Sequence, residues 1–102
     1  MASLYIFTDR HYSIQWLTRE RPAYPQNPTD QDRLAAWTPL IAHSGTYEVN
    51  GKILTTKAVV AKTPSVMTGA GSTAELRFEG PNVVYVTATN PTGATSKLSR
   101  VE

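Results

Sequence analysis

The 102-residue chain contains no cysteine, which excludes a disulfide framework, a thiolate metal site and a thiol nucleophile. No apolar run approaches the ~20 residues that a membrane-crossing helix needs. The first twenty residues include Asp9, Arg10, His11, Arg19 and Glu20, which is incompatible with the apolar segment of a secretory leader. Charge of one sign is scarce too. Ten Lys and Arg stand against eight Asp and Glu, and the net charge of +2 is scattered along the chain. Nucleic-acid binders cluster their basic residues on one face, and no such cluster is present. Both Asn-x-Thr triplets, Asn27-Pro28-Thr29 and Asn90-Pro91-Thr92, carry the central proline that blocks glycosylation. These absences predict a single cytoplasmic domain spanning 1–102, with no cofactor, no nucleic acid and no membrane among its partners.

What is present is mostly strand chemistry. Asn50-Gly51 lies between two β-prone runs, and Asn and Gly best tolerate the positive φ that both centres of a type I′ turn require. A hairpin closed there sets Val49 opposite Lys52, Glu48 opposite Ile53 and Tyr47 opposite Leu54. Residues 3–8 and 11–17 form a second pair of β-prone runs joined by Asp9-Arg10. That loop pairs Phe7 with Tyr12, Tyr5 with Ile14 and Ser3 with Trp16. Tyr5, Phe7, Tyr12, Ile14 and Trp16 then share one face, and Leu4, Ile6 and Leu17 the other. With both faces partly apolar, both require cover, one by a barrel interior and the other by a helix or a second subunit.

Residues 20–29 hold Pro22, Pro25 and Pro28 and read as a loop. Thr29 can cap a helix starting at Asp30, with Asp32 in the capping-box position. Leu34, Trp37 and Ile41 recur at helical spacing as its buried stripe, Pro39 predicts a break near Trp37, and Gly45 ends the segment. Beyond the Asn-Gly hairpin come a strand over 52–60, a loop over 61–72, and strands over 73–78, 83–89 and 94–101. A four-residue turn at Glu79-Gly80-Pro81-Asn82 places Leu76, Phe78, Val83, Tyr85 and Leu98 on the core face. It puts Glu75, Arg77, Val84, Val86 and Lys97 on the other. The fold expected is mainly β: an antiparallel meander curling into a barrel or open half-barrel, with one short helix between the second and third strands.

The run Leu4-Tyr5-Ile6-Phe7-Thr8-Asp9-Arg10-His11-Tyr12-Ser13-Ile14-Gln15 resembles the strand-turn-strand of bacterial lipocalin-like domains, which follows a G-x-L-x-Y-T-x-D-G-x-M-S-x-Q pattern. Gly45-Thr46-Tyr47-Glu48-Val49-Asn50-Gly51 is similar to the G-T-Y-x-V-x-G hairpin of that family. Leu98-Ser99-Arg100 loosely matches its terminal W-x-R-like element and lacks the aromatic residue. The resemblance covers most of the chain and implies a lipocalin-like barrel, with a structural Arg at the end of the last strand. Family members carry an additional first strand bearing a G-x-W element, which this sequence does not show. The resemblance therefore implies either an open barrel or an edge supplied by a partner subunit; open edges invite pairing, so a homodimer is expected.

Small barrels enclose an apolar ligand that a few polar groups orient. The residues expected to form such a site are Tyr5, Tyr12, Trp16, Tyr47, Leu76, Phe78, Tyr85 and Arg100. A guanidinium among tyrosines suits a carboxylate, because it offers two parallel donors. The plainer reading is that the tyrosines fill core with their hydroxyls at its edge and that Arg100 packs over a ring. Trp16 and Trp37 fit core or interface packing as well as a pocket wall, and Met67 lies in a Gly-flanked loop that could shut a barrel mouth. For catalysis only His11 and His43 titrate near neutrality. They lack the H-x-H spacing of a metal site, no Gly-x-Ser-x-Gly occurs, and Gly69-Ala70-Gly71-Ser72 lacks the helix and Lys of a phosphate loop. Alternating Tyr5, Phe7 and Tyr12 could stack bases, with Arg10 the only nearby cation. The function expected is non-catalytic binding of a small hydrophobic molecule in the cup. The alternatives are a homo-oligomeric assembly module whose cup is filled by partner side chains, and an enzyme using His11 or His43.

Overall fold

The computed structural model describes residues 2–68, 71–90 and 92–102, with backbone alone at positions 90, 92 and 94. Gly69 and Ala70 of the glycine-rich loop, and Pro91 of the last turn, lie outside the described residues. Within them the chain forms seven strands in one antiparallel sheet, ordered as in the sequence. They are β1 (Ser3–Phe7), β2 (His11–Leu17), β3 (Leu40–Asn50), β4 (Ile53–Ala61), β5 (Ser72–Glu79), β6 (Val83–Asn90) and β7 (Thr92–Ser99), with helix α1 (Asp30–Trp37) between β2 and β3. The meander curls into a half-barrel and does not close: β1 and β7 both remain edges. No helix among the described residues is long and apolar enough to cross a membrane.

The β1–β2 hairpin has the expected register, Phe7 opposite Tyr12, Tyr5 opposite Ile14 and Ser3 opposite Trp16. Thr8 and His11 close it, the Thr8 amide donating to the His11 carbonyl at 2.8 Å. Helix α1 begins as its cap residues dictate. The Thr29 hydroxyl accepts from the Asp32 amide at 3.2 Å and the Asp32 carboxylate accepts from the Thr29 amide at 2.8 Å. The Thr29 amide and hydroxyl hold the Asp32 carboxyl below its ordinary range. Pro39, almost fully buried, cannot continue the helix, and β3 starts at the next residue.

Four expectations are overturned here. The stripe of Leu34, Trp37 and Ile41 is not a buried helical face: Leu34 and Trp37 are 62% and 53% exposed, and Ile41 belongs to β3. Lys62 on β4's outgoing loop instead crosses the Trp37 ring at 4.9 Å and donates to the Trp37 and Thr38 carbonyls, capping the helix C-terminus with a cation, and to the Leu40 carbonyl at 2.6 Å. Gly45 ends nothing. It lies inside β3, where Ser44 faces Val60 and Gly45 faces Ala58, so β4 carries one extra residue in a bulge. The β3–β4 loop is Gly51-Lys52, with Asn50 opposite Ile53 and Val49 opposite Leu54. Gly51 takes φ +64 and no other described residue than glycine has positive φ, the sign pattern of a type II′ turn rather than type I′. The shift moves each pair along by two positions, so Tyr47 and Leu54 still share a face.

The fourth correction has more consequence. The β5–β6 loop has three residues, with Glu79 opposite Val83, Phe78 opposite Val84 and Arg77 opposite Tyr85. One residue fewer in the loop inverts β6, because side chains alternate with a period of two. Val84 and Val86 therefore join Leu76, Phe78 and Leu98 on the concave face, and Val83 and Tyr85 go to the convex one.

The core is thin and lies on the concave side of the central strands: Tyr12, Ile14, Leu54, Ala58 and Leu76 are its buried apolar members. The radius of gyration is 15.2 Å, against about 13 Å for a compact domain of ~100 residues. Large apolar side chains remain exposed, among them Leu4 and Ile6 at 53% each.

Candidate functional site

The curl of the sheet brings its two edges together around a cleft of about 750 Å³. Tyr5 and Phe7 of β1 face it from one bank. Phe78 of β5, Val84 of β6 and Leu98 of β7 face it from the other, with Arg100 at its rim. The strand alternation explains the composition: each of these side chains projects from the concave side of its strand. Phe7 and Phe78 are 40% and 69% exposed, so the cleft presents aromatic faces to solvent. The Phe7 ring is held edge-on against Tyr47 at 5.2 Å, and the Tyr47 hydroxyl donates to the Thr8 carbonyl at 2.5 Å. Arg100 is tied to the end of its own strand, its Nε donating to the Glu102 carbonyl and its amide to the Asn82 carbonyl at 2.7 Å.

A polar pair is built into the concave core next to these residues. Tyr12, 3% exposed, hydrogen-bonds His43 on β3, with its hydroxyl oxygen 2.7 Å from Nδ1 and the rings edge-on at 5.3 Å. The register brings the two together, since Tyr12 faces Gly45 and Ile14 faces His43, which sets Tyr12 and His43 diagonally on one face. Burial pushes the Tyr12 hydroxyl up from its ordinary value, with the Thr56 side chain pulling the other way, and burial pushes His43 down. Both groups are therefore neutral at pH 7. With the ring proton on Nε2, the tyrosine donates and the imidazole accepts.

The sign of the pH dependence follows. Unfolded His43 takes up a proton at its ordinary value of 6.5, while folded His43 resists it until lower pH. Stability is thus fully present above about pH 6.5 and is lost as pH falls through the window below it. Urea midpoints of the wild-type protein are expected to drop between pH 7.5 and 5.5, and this drop shrinks in His43→Asn. An equal drop in both proteins would assign the effect to other groups.

The residues singled out by sequence reasoning divide into three groups. Tyr5, Phe78 and Arg100 line the cleft. Tyr12, Trp16, Tyr47 and Leu76 share the concave face but support the site from within the sheet: Tyr12 and Leu76 are buried, and Trp16 stands between Ser3 and Ile41. Tyr85 is a correction. It projects from the convex face, where Arg77 covers its ring at 4.1 Å and Lys97 approaches it at 5.9 Å. His11 faces Thr46 on the convex side, so it and His43 do not meet. Met67 sits in the 3-10 turn Pro64–Met67 beside β4, away from the cleft. Trp37 borders a separate groove of about 410 Å³ outside α1, with Tyr24, Arg21 and Leu34. The four-residue turn expected from the sequence sets Val84 on the opposite face from the one it occupies, whereas simple alternation carries the signal for Leu98 and Phe7. Comparison with protein-family models, with curated proteins and with solved structures finds no match.

Proposed function

We propose that the protein binds a small apolar molecule, without catalysis, in the cleft on the concave face of a lipocalin-like half-barrel. The observation that carries this reading is the convergence of Tyr5, Phe7, Phe78, Val84 and Leu98 on one cleft of about 750 Å³, within the ~300–1,000 Å³ of small-molecule sites. The Tyr5 hydroxyl and the Arg100 guanidinium supply polar groups beside an otherwise apolar wall, and a ligand with one anionic end fits that distribution. Among the described residues that line the cleft, no hydrogen bond pairs a base with a nucleophile. The neutral Tyr12–His43 pair has its phenol buried and acts as a strut for the wall.

A second reading is assembly of two copies. Leu4 and Ile6 on the convex side of β1, with Leu34 and Trp37 on α1, are apolar surface that a partner could cover. Native mass spectrometry reads both properties at once, the ligand as a releasable adduct and the homodimer as a doubled mass.

The binding reading has a sharper test in the β6 register. Val84→Glu places a carboxylate in the cleft and is expected to weaken binding of the apolar dye 1-anilinonaphthalene-8-sulfonate at least tenfold. Tyr85→Ala, on the opposite face, leaves binding unchanged. Equal effects of the two substitutions, or dye binding that survives both, would sink the proposal.

A further inference from the structure

The two edge strands that frame the cleft run in the same direction, because an odd number of antiparallel strands separates the first from the last in register with itself: β1 and β7 are both odd-numbered members of one meander. They therefore cannot close on each other as the rest of the sheet does. Direct closure would demand a parallel pair in an otherwise antiparallel sheet, whereas one added strand can run antiparallel to both.

The backbone shows which groups await such a strand. At the two ends of β1 the Thr8 amide bonds to the His11 carbonyl and the Ala2 carbonyl to the Leu17 amide of β2. Alternation then turns the amides and carbonyls of Ser3, Tyr5 and Phe7 outward, toward the cleft. At the end of β7 the Arg100 amide bonds to Asn82, in register with Leu98 opposite Val84 and Ser96 opposite Val86. The same alternation turns the backbone groups of Lys97 and Ser99 outward from the other bank. Two rows of free donors and acceptors thus face one another across one cleft, and residues of both rows line it.

The side chains state what the occupant must be. On the concave side it meets Tyr5, Phe7 and Leu98; on the convex side it meets Leu4 and Ile6 of β1 and, across the cleft, Lys97 and Ser99 of β7. A filling strand is therefore apolar on its concave face and beside β1, with a polar position beside Lys97 and Ser99. The banks carry two cations, Lys97 and Arg100, against the single carboxylate side chain of Glu102, and the β1 bank is uncharged. An acidic residue in the occupant is favoured and a basic one penalised. Five residues of β1 span about 17 Å, which sets the length at five to seven residues.

We infer that the seam between β1 and β7 is a receptor groove for one extended, apolar, acid-bearing peptide strand, which runs antiparallel to both edges and completes an eight-stranded up-and-down barrel. Backbone pairing gives the groove its affinity, and the apolar concave face and β1 bank with the Lys97 side chain give it its preference. This goes beyond the small-molecule reading. It concerns the backbone edges, and either property can fail while the other stands.

The test starts from a phage-displayed library of random heptapeptides selected on the full chain. An enriched peptide, made synthetically, is expected to slow amide exchange at least tenfold on both banks together, at Tyr5 and Phe7 and at Lys97 and Ser99. Lys97→Pro removes one outward N–H while an edge strand tolerates the ring, and it is expected to weaken the peptide at least tenfold. Lys97→Arg keeps both the N–H and the charge and binds within about threefold of wild type. Circular dichroism and thermal melting establish that both variants fold. The inference is overturned if no enriched peptide slows both banks, or if Lys97→Pro binds as tightly as Lys97→Arg. It is equally overturned if both banks slow in the protein alone as concentration rises, since a second copy would then occupy the seam. Dye binding to the concave face is measured without peptide, so its outcome bears on the small-molecule reading alone.

Discussion

Replacing Gly45 with alanine is expected to lower the melting temperature by roughly 12–24 °C. A Cβ at Gly45 would stand 1.9 Å from the Lys57 carbonyl oxygen and 2.8 Å from both the Ala58 Cα and the Val59 amide nitrogen. All three are backbone atoms of β4, so no side-chain rotation relieves the clash. The bulge at Val59 presses β4 against β3 at this point. Overpacking a filled site costs about 1–3 kcal/mol when side chains can adjust, and the upper end applies where only backbone can move. At about 4–8 °C per kcal/mol for a domain of this size, ~3 kcal/mol gives the stated shift. Gly51→Ala is the control. Nothing lies within 4 Å of its added Cβ, and the cost is confined to φ +64, about 1–2 kcal/mol. If the two substitutions shift the melting temperature equally, β3 and β4 do not approach as described.

The second large effect is at Tyr12. Tyr12→Ala is expected to lose about 3–5 kcal/mol in urea unfolding, on the scale of truncating a buried aromatic ring. That is a large part of the ~5–15 kcal/mol that holds a typical domain together, and this core has few members to share it. Tyr12→Phe keeps the ring and removes the hydroxyl that meets His43 at 2.7 Å. The half-buried Nδ1 then lacks its partner, for a loss of about 1–2 kcal/mol. The ordering matters more than either value. Should Tyr12→Phe cost as much as Tyr12→Ala, the hydrogen bond rather than ring packing would dominate the centre of the concave face.

How far the sequence could be read varied with how local the deciding interaction was. The β1–β2 register followed from a two-residue loop and alternation, and nothing elsewhere in the molecule contradicts it. The start of α1 was legible because Thr29 and Asp32 satisfy each other's backbone within one turn. Its end was legible because Pro39 cannot stay helical. The helix face was misread: helical spacing of Leu34, Trp37 and Ile41 shows where apolar side chains fall, and only packing decides whether anything covers them. For the site, Tyr5, Phe78 and Arg100 followed from alternation within their own strands. Val84 and Tyr85 exchanged faces because the Gly80 turn absorbs three residues rather than four, a difference to which composition is blind.

By itself, the sequence determined the seven-strand antiparallel meander, the position of the helix and the aromatic concave face of β1 and β2. These depend on steric preferences and hydrogen bonds between residues close in the chain. Only the tertiary structure decided the strand in which Gly45 lies, the face on which Tyr85 stands and the partner of His43. It alone shows β1 and β7 facing each other, unpaired, across a cleft. Those features arise from contacts between distant segments, where a bulge or one residue of loop length changes which atoms meet, and a linear pattern carries no record of it.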